Sequence, residues 1–335
     1  MPKIDVAIPC YQYGRFLRDC VRSIQSQNID DLRILIIDNA STDDSVEVAE
    51  ELARDDPRIE IVAHKNNLGP HASYNEAIDW ASSDYFLLLD ADDFLVDGCL
   101  ARAIATMETN PNVAFTHGKI ALLTPRTSEF SVDQVPTPTW DIMSGDSFLH
   151  RACKFATDMP SAPTVVRRTD AQKRAGYYRK ELPYTDDIEL WLRLAMQGDV
   201  AHTNALQAVR RIHASQATTS FRDEPVNDHK AHEDAFESFF AHEGRLLPNR
   251  GKLLELARRN MADHAYWSGL SHIIRGYRKE GMTLVRYASR NSWLGLRHPP
   301  LRYLTLHKSL RHRTREILAQ FSLARREGPG SHERT

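Results

Sequence analysis

Residues 84–95 read DYFLLLDADDFL. Tyr85 to Leu89 is an unbroken apolar run, too short for a helix and of the right length for a buried strand. The run stops abruptly at Asp90, Asp92 and Asp93, where a buried strand has no use for carboxylates. Upstream lie three more apolar runs that read as strands: IDVAIP (4–9), RILIID (33–38) and IEIVA (59–63). Helical patterns separate them. RFLRDCVRSIQSQ sets Phe16, Leu17, Cys20, Val21 and Ile24 on one face. In the second helix Ser41, Thr42 and Asp43 offer N-cap chemistry before a stripe at Val46, Ala49 and Leu52. A third helix is expected over 70–82, a fourth over CLARAIATMET, and a fifth strand over 113–122. This alternation predicts an α/β fold, a mainly parallel sheet flanked by helices on both faces.

Beyond residue 123 the order changes. Residues 124–146, with three prolines and many Ser and Thr, read as a long surface loop. A strand PTVVRR, a helix DDIELWLRLAMQ and mixed strands through ALQAVRRIHAS follow. From about 229 the pattern is helical only, which marks a boundary near 220–230.

The chain of 335 residues carries 43 basic and 45 acidic side chains, so its overall charge points to no nucleic-acid partner. Its four cysteines, Cys10, Cys20, Cys99 and Cys153, lack metal-ligand spacing and are expected to be buried free thiols. No signal-peptide pattern and no apolar stretch of membrane-spanning length is seen, so a cytoplasmic protein is expected. Neither GxGxxG nor GxxxxGK[ST] occurs, which argues against a dinucleotide dehydrogenase and a P-loop NTPase.

Ligands of open parallel sheets bind outside the carboxyl ends of the strands. Here those ends carry Pro9-Cys10-Tyr11, Asp38-Asn39, Asn66-Asn67-Leu68-Gly69 and Asp90-Ala91-Asp92. Four consecutive polar ends favour one cleft. In an extended segment Asp90 and Asp92 project to the same side. Two carboxylates so placed repel unless a cation intervenes, and Mg²⁺ or Mn²⁺ with oxygen ligands suits them. The competing reading is helix capping, and Asp93 is given that local role.

These stretches resemble the family 2 glycosyltransferases of GT-A fold. The matching segments are AIPCYQYGRFLRDCVRSIQSQ, RILIIDNASTDDS, NNLGPHASYNEAI, YFLLLDADD and YTDDIELWLRLA, in the family's order across roughly residues 4–215. The resemblance implies an enzyme that moves a sugar from a nucleoside diphosphate sugar to an acceptor hydroxyl with inversion, assisted by Mn²⁺ or Mg²⁺. It implies nucleotide contacts from Pro9, Tyr11, Asp38, Asn67, Gly69 and Asp90, metal ligation by Asp92, and a general base at Asp187 with Asp186 beside it. His213 falls where related enzymes carry a histidine near the metal or diphosphate. Trp191, one turn after Asp187, is placed on the acceptor side, although an aromatic at helical spacing is more often a core residue. Two departures stand out. Tyr74 occupies a position that usually holds Arg, and DNAS replaces the commoner DDGS.

On this resemblance residues 1–225 form the catalytic domain, with a nucleotide-sugar half to about 123 and an acceptor half from about 124. Residues 226–326 form a helical region and 327–335 a disordered tail. Basic residues interleaved with Trp, Tyr and Leu over 275–326 suit contact with an anionic membrane surface at its inner face, or alternatively a helical cap or homodimer contact. The expected acceptor is a glycan or lipid-linked sugar in glycan or polysaccharide biosynthesis. Glycosylation of a small natural product and non-catalytic nucleotide-sugar binding are the alternatives.

Overall fold

A computed structural model describes residues 3–124, 138–216 and 225–291, together with residue 300. Strands β1 (Ile4–Cys10), β2 (Leu32–Asp38), β3 (Ile59–Ala63) and β4 (Tyr85–Leu88) alternate with helices α1 (Gly14–Gln25), α2 (Ser45–Asp55) and α3 (Pro70–Trp80). Next come β5 (Phe94–Leu95), α4 (Cys99–Thr109), β6 (Val113–Leu123), β7 (Trp140–Met143) and α5 (Gly145–Lys154). They are followed by β8 (Val166–Arg168), α6 (Thr169–Ala175), α7 (Asp186–Ala195) and β9 (Asp199–Arg211). Helices α8 (Pro225–Ala241), α9 (Arg250–Ile274) and α10 (Arg278–Asn291) complete the described chain.

One nine-stranded sheet runs β3-β2-β1-β4-β8-β6-β9-β5, with β7 beside β9. Its first four strands are parallel, as the alternation predicts. The second half is mixed, because β8 runs antiparallel to both β4 and β6 while β6 and β9 are parallel. Period-two side-chain placement divides two cores. Ile4, Val6 and Ile8 face α1, α2 and α4, whereas Ala7, Leu35, Ile37 and Phe86 face α3, α5 and α7. Each fully buried aliphatic side chain of this kind stabilises the fold by roughly 1.5–3 kcal/mol.

Three local expectations need correction. Residues 140–143, read as loop, form β7 through backbone pairing with Val200–Thr203, and α5 begins at Gly145; residues 125–137 of that loop lie outside the described residues. Helix α2 starts at Ser45, where Asp43 accepts hydrogen bonds from the Ser45 backbone N–H (3.1 Å) and hydroxyl (2.5 Å). Its buried stripe is Val48, Ala49 and Leu52 rather than one that starts at Val46. All four cysteines are buried and free.

The DNAS departure has a backbone consequence. Ala40 sits at φ 61°, a left-handed conformation that costs an L-residue roughly 1–2 kcal/mol and suits glycine. Ala40→Gly is therefore expected to raise stability by about 0.5–1 kcal/mol in a denaturant titration, with an unchanged m-value.

The helical region packs on α5 and α7, which cover one face of the sheet. Phe236, Phe239 and Phe240 of α8 and Leu253, Ala257 and Met261 of α9 share one core with Phe148 and Trp191. Helices α9 and α10 cross at Gly269 and Gly281, where a Cβ on either would meet the other's carbonyl oxygen within 2.8 Å. The apolar side of α10, Leu284, Tyr287 and Ala288, is buried against Val226 and Ala265, leaving Arg278, Lys279, Arg286 and Arg290 exposed. The remainder of the proposed membrane-contacting stretch, residues 292–299 and 301–326, and the tail 327–335 lie outside the described residues. No helix among the described residues is long and apolar enough to cross a membrane.

Candidate functional site

The parallel half of the sheet brings the ends of β1, β2 and β4 to one rim. Beside it opens a cleft of about 560 Å³, lined among others by Tyr13, Tyr74, Asp90, Asp92, Asp186 and Asp187. A carboxylate oxygen from each of Asp90, Asp92 and Asp93 lies within 4.8 Å of the others.

Their surroundings differ from those of a structural acid. Asp5, buried in β1, accepts hydrogen bonds from the Arg33 guanidinium (2.9 and 2.8 Å) and from the backbone N–H groups of Ser82 (2.7 Å) and Ser83 (2.8 Å). Burial alone would raise its carboxyl, but these donors outweigh it and hold it below the usual range. The cleft acids lack such compensation. Burial, then the neighbouring Asp92, pushes Asp90 up to about 7 against an opposing pull from Arg210. Asp93 is raised by burial and by Asp92 and Asp90, while its Oδ1 accepts the Arg211 backbone N–H at 3.1 Å. That bond pins the end of β9, in keeping with a local role for Asp93.

Asp92 carries an imidazole partner. His213 Nε2 lies 3.1 Å from Asp92 Oδ2, and His213 Nδ1 lies 2.9 Å from the Ser215 hydroxyl. Phe16 and Tyr13 wall the ring, at centroid distances of 4.8 and 5.5 Å. Clustered carboxylate oxygens are the donors that Mn²⁺ and Mg²⁺ take, so Asp90, Asp92 and Asp93 fit such an ion, with the imidazole beside Asp92.

In the same cleft, Asp186 and Asp187 occupy the first turn of α7. A helix N-terminus lowers carboxyl pKa values, and the Ile188 N–H donates to Asp187 Oδ1 at 2.7 Å. Burial and the adjacent Asp186 outweigh both, and Asp187 rises to about 7. His71 Nε2 lies 3.2 Å from Asp186 Oδ2.

The remaining sequence candidates fall elsewhere on the rim or in the core. Pro9 is half-buried at the end of β1, and Tyr11 is exposed just beyond it. Asp38 is buried, with Oδ2 accepting the Ser41 N–H at 2.9 Å and Oδ1 unpartnered. Asn67 accepts from Asn39 Nδ2 at 3.0 Å and from the Gly69 N–H at 2.9 Å. Gly69 has φ 83° and lines a second cavity of about 620 Å³, which shares His71, Tyr178 and Lys180 with the first. None of these five lines the acidic cleft itself. Trp191 is 0% exposed, packs in the core and donates its indole N–H to the Pro160 carbonyl at 3.1 Å. It does not reach the cleft, so its assignment to the acceptor side gives way to the core reading.

Sequence reasoning missed His71, Tyr178, Tyr184 and Arg210, all of which line the cleft. His71 had a usable signal, since it stands one helical turn from Tyr74 in GPHASYNEA. Arg210 opens the same RRIHAS stretch that carries His213.

Comparison with known proteins agrees with this architecture. A family model described as "Glycosyl transferase family 2" matches residues 5–130, and one described as "Glycosyl transferase family group 2" matches 85–231. An uncharacterized glycosyltransferase of Haemophilus influenzae is 23% identical over 67% of this chain and 69% of its own. The GalNAc(5)-diNAcBac-PP-undecaprenol beta-1,3-glucosyltransferase of Campylobacter jejuni is 34% identical over 35% of this chain, and the match spans only 37% of that protein. Among solved structures, Staphylococcus aureus TarS 1-349 in complex with UDP-GlcNAc has a TM-score of 0.62 at 14% identity, covering 96% of this chain and 89% of that one. The Pyrobaculum calidifontis mannosyltransferase PcManGT, in complex with GDP-Man and Mn²⁺, has a TM-score of 0.53 at 18% identity, covering 87% of each chain. The fold is thus the GT-A architecture, and with two overlapping family models that together cover residues 5–231, the chain belongs to the family 2 glycosyltransferases.

Proposed function

We propose that this glycosyltransferase is inverting and metal-assisted, and transfers a sugar from a nucleoside diphosphate sugar to a hydroxyl of a glycan or lipid-linked acceptor. One observation carries the reading. A single cleft holds both an acid cluster with an imidazole on Asp92 and, at the start of α7, the Asp187 carboxyl raised to about 7.

Asp92 and His213, with Asp90, would hold Mn²⁺ or Mg²⁺. The bound ion supplies Lewis-acid neutralisation of charge on the departing diphosphate. Asp187 accepts the proton of the acceptor hydroxyl as that oxygen bonds to the anomeric carbon and the bond to the diphosphate breaks. A carboxyl near 7 is matched to that task at neutral pH. Asp186 maintains the match by disfavouring a second negative charge beside it. Pro9, Tyr11, Asp38, Asn67 and Gly69 are assigned to the nucleotide on the rim beside the metal. Support for the donor class comes from UDP-GlcNAc in TarS and GDP-Man with Mn²⁺ in PcManGT. The undecaprenol-linked substrate in the name of the Campylobacter relative favours a lipid-linked glycan acceptor.

A thermal-shift screen of nucleoside diphosphates with and without Mn²⁺ tests the proposal. One base is expected to raise Tm by several degrees only when Mn²⁺ is present, as ligand at a hundred times Kd adds about 2.7 kcal/mol. No shift with any base, in either condition, counts against it.

A further inference from the structure

Residues 176–185 cross from α6 to α7 and form the cleft wall that leads up to Asp186 and Asp187. The segment is tied down along its length. Asn75 of α3 grips the Tyr178 backbone, accepting its N–H at 2.8 Å and donating to its carbonyl at 3.2 Å. Arg179 reaches Glu189 at 2.5 Å and both carboxylate oxygens of Glu243 at 2.7 Å. The Thr185 hydroxyl donates to the Ala231 carbonyl at 2.9 Å.

Within this clamped segment Tyr184 has φ 71°, a left-handed conformation rarely adopted by an aromatic residue. Such strain costs about 1–3 kcal/mol, persists where surroundings over-determine it, and gathers at functional sites. Tyr184 is 41% exposed and lines the cleft three positions before Asp187. Packing of a fully buried ring therefore does not account for the strain.

The rim at β1, β2 and β4 and the acid cluster occupy the donor side, so the wall beside the base is left for the acceptor. A half-exposed aromatic face next to carboxylates suits a pyranose, which offers C–H bonds on one face and hydroxyls at its edge. We propose that Tyr184 is a stacking platform for a sugar ring of the acceptor, so that the acceptor presents a glycoside rather than a simple alcohol or polyol. This deepens the reading of Asp187 as the base and rests on it.

The test uses the full chain, the donor identified by nucleotide screening, and a panel of p-nitrophenyl glycosides as acceptors. Tyr184→Phe should keep acceptor KM within about threefold of wild type. Tyr184→Ala should raise it about tenfold or more, the scale of a lost aromatic contact, with acceptor-independent donor hydrolysis unchanged. Tyr184→Asn tolerates positive φ, so its Tm should rise while acceptor KM rises as in the alanine variant. An alanine variant with wild-type acceptor KM overturns the proposal. So does a set of variants in which Tm and donor hydrolysis fall together, the behaviour of a merely structural tyrosine. A wild type that transfers to glycerol but to no glycoside overturns it too. A wild type that neither binds nor hydrolyses any nucleotide sugar marks failure of the glycosyl-transfer reading itself, and this proposal falls with it.

Discussion

Asp92→Ala is expected to remove the Mn²⁺-dependent part of donor binding and to cut turnover by roughly a thousandfold or more. The size follows from what a bound ion supplies, several kcal/mol of stabilisation for charge on the leaving diphosphate. Asp92 is the acid that His213 engages, at 3.1 Å, and it sits between Asp90 and Asp93 in the cluster. Asp93→Asn is the control. Its carbonyl oxygen can still accept the Arg211 N–H, so β9 stays pinned and activity should fall far less. Isothermal titration with nucleoside diphosphate, with and without Mn²⁺, separates the two variants. An Asp92→Ala protein that kept its Mn²⁺-dependent affinity would falsify the ligand assignment.

Asp187→Asn should leave donor affinity nearly intact and reduce transfer by roughly 10²–10⁴-fold, the usual worth of a positioned general base. The amide matches the carboxylate in shape and can still accept from the Ile188 N–H, so the α7 terminus should survive. The pH profile gives a second readout. Burial and then Asp186 hold the Asp187 carboxyl near 7, so it is protonated and inactive below that pH. Wild-type kcat/KM should therefore climb with pH and level off above about 7. Asp186→Asn removes the adjacent negative charge, lowers the pKa of the base and moves the acid limb to lower pH. A limb that stayed in place in that variant would assign the titration to another group.

The parts of this molecule readable in its sequence are those governed by local pattern. Tyr85–Leu88 is a buried strand because nothing polar interrupts it, and its end in Asp90 and Asp92 follows from the loop that must come next. The DDIELWLRLA helix was placed by its acids and its apolar content. That content also held a warning. From Ile188 to Ala195 every residue is buried, including Glu189 and Arg193, which pair with each other across one turn. A helix apolar nearly all round has no outward face, so Trp191 had nowhere to point but the core. What stayed hidden depended on tertiary partners. Trp140–Met143 borrows its strand character from β9, and neither its Ser- and Thr-rich context nor its length announces a strand. Tyr184 became notable only through its backbone angle, which no residue pattern encodes.

Arg179 carries one more implication. It joins Glu189, on the helix that carries the candidate base, to Glu243, beyond the point where composition suggests a boundary near 225. The aromatic side chains of α8 fill the same core as α5 and α7. A chain ended at 225 would therefore lose more than an appendage. It would strip the 176–185 segment of one of its carboxylate anchors and open the core beneath it to water. The 176–185 segment and α8 are therefore expected to unfold together rather than in separate steps, with the composition change near 225 falling inside a shared core.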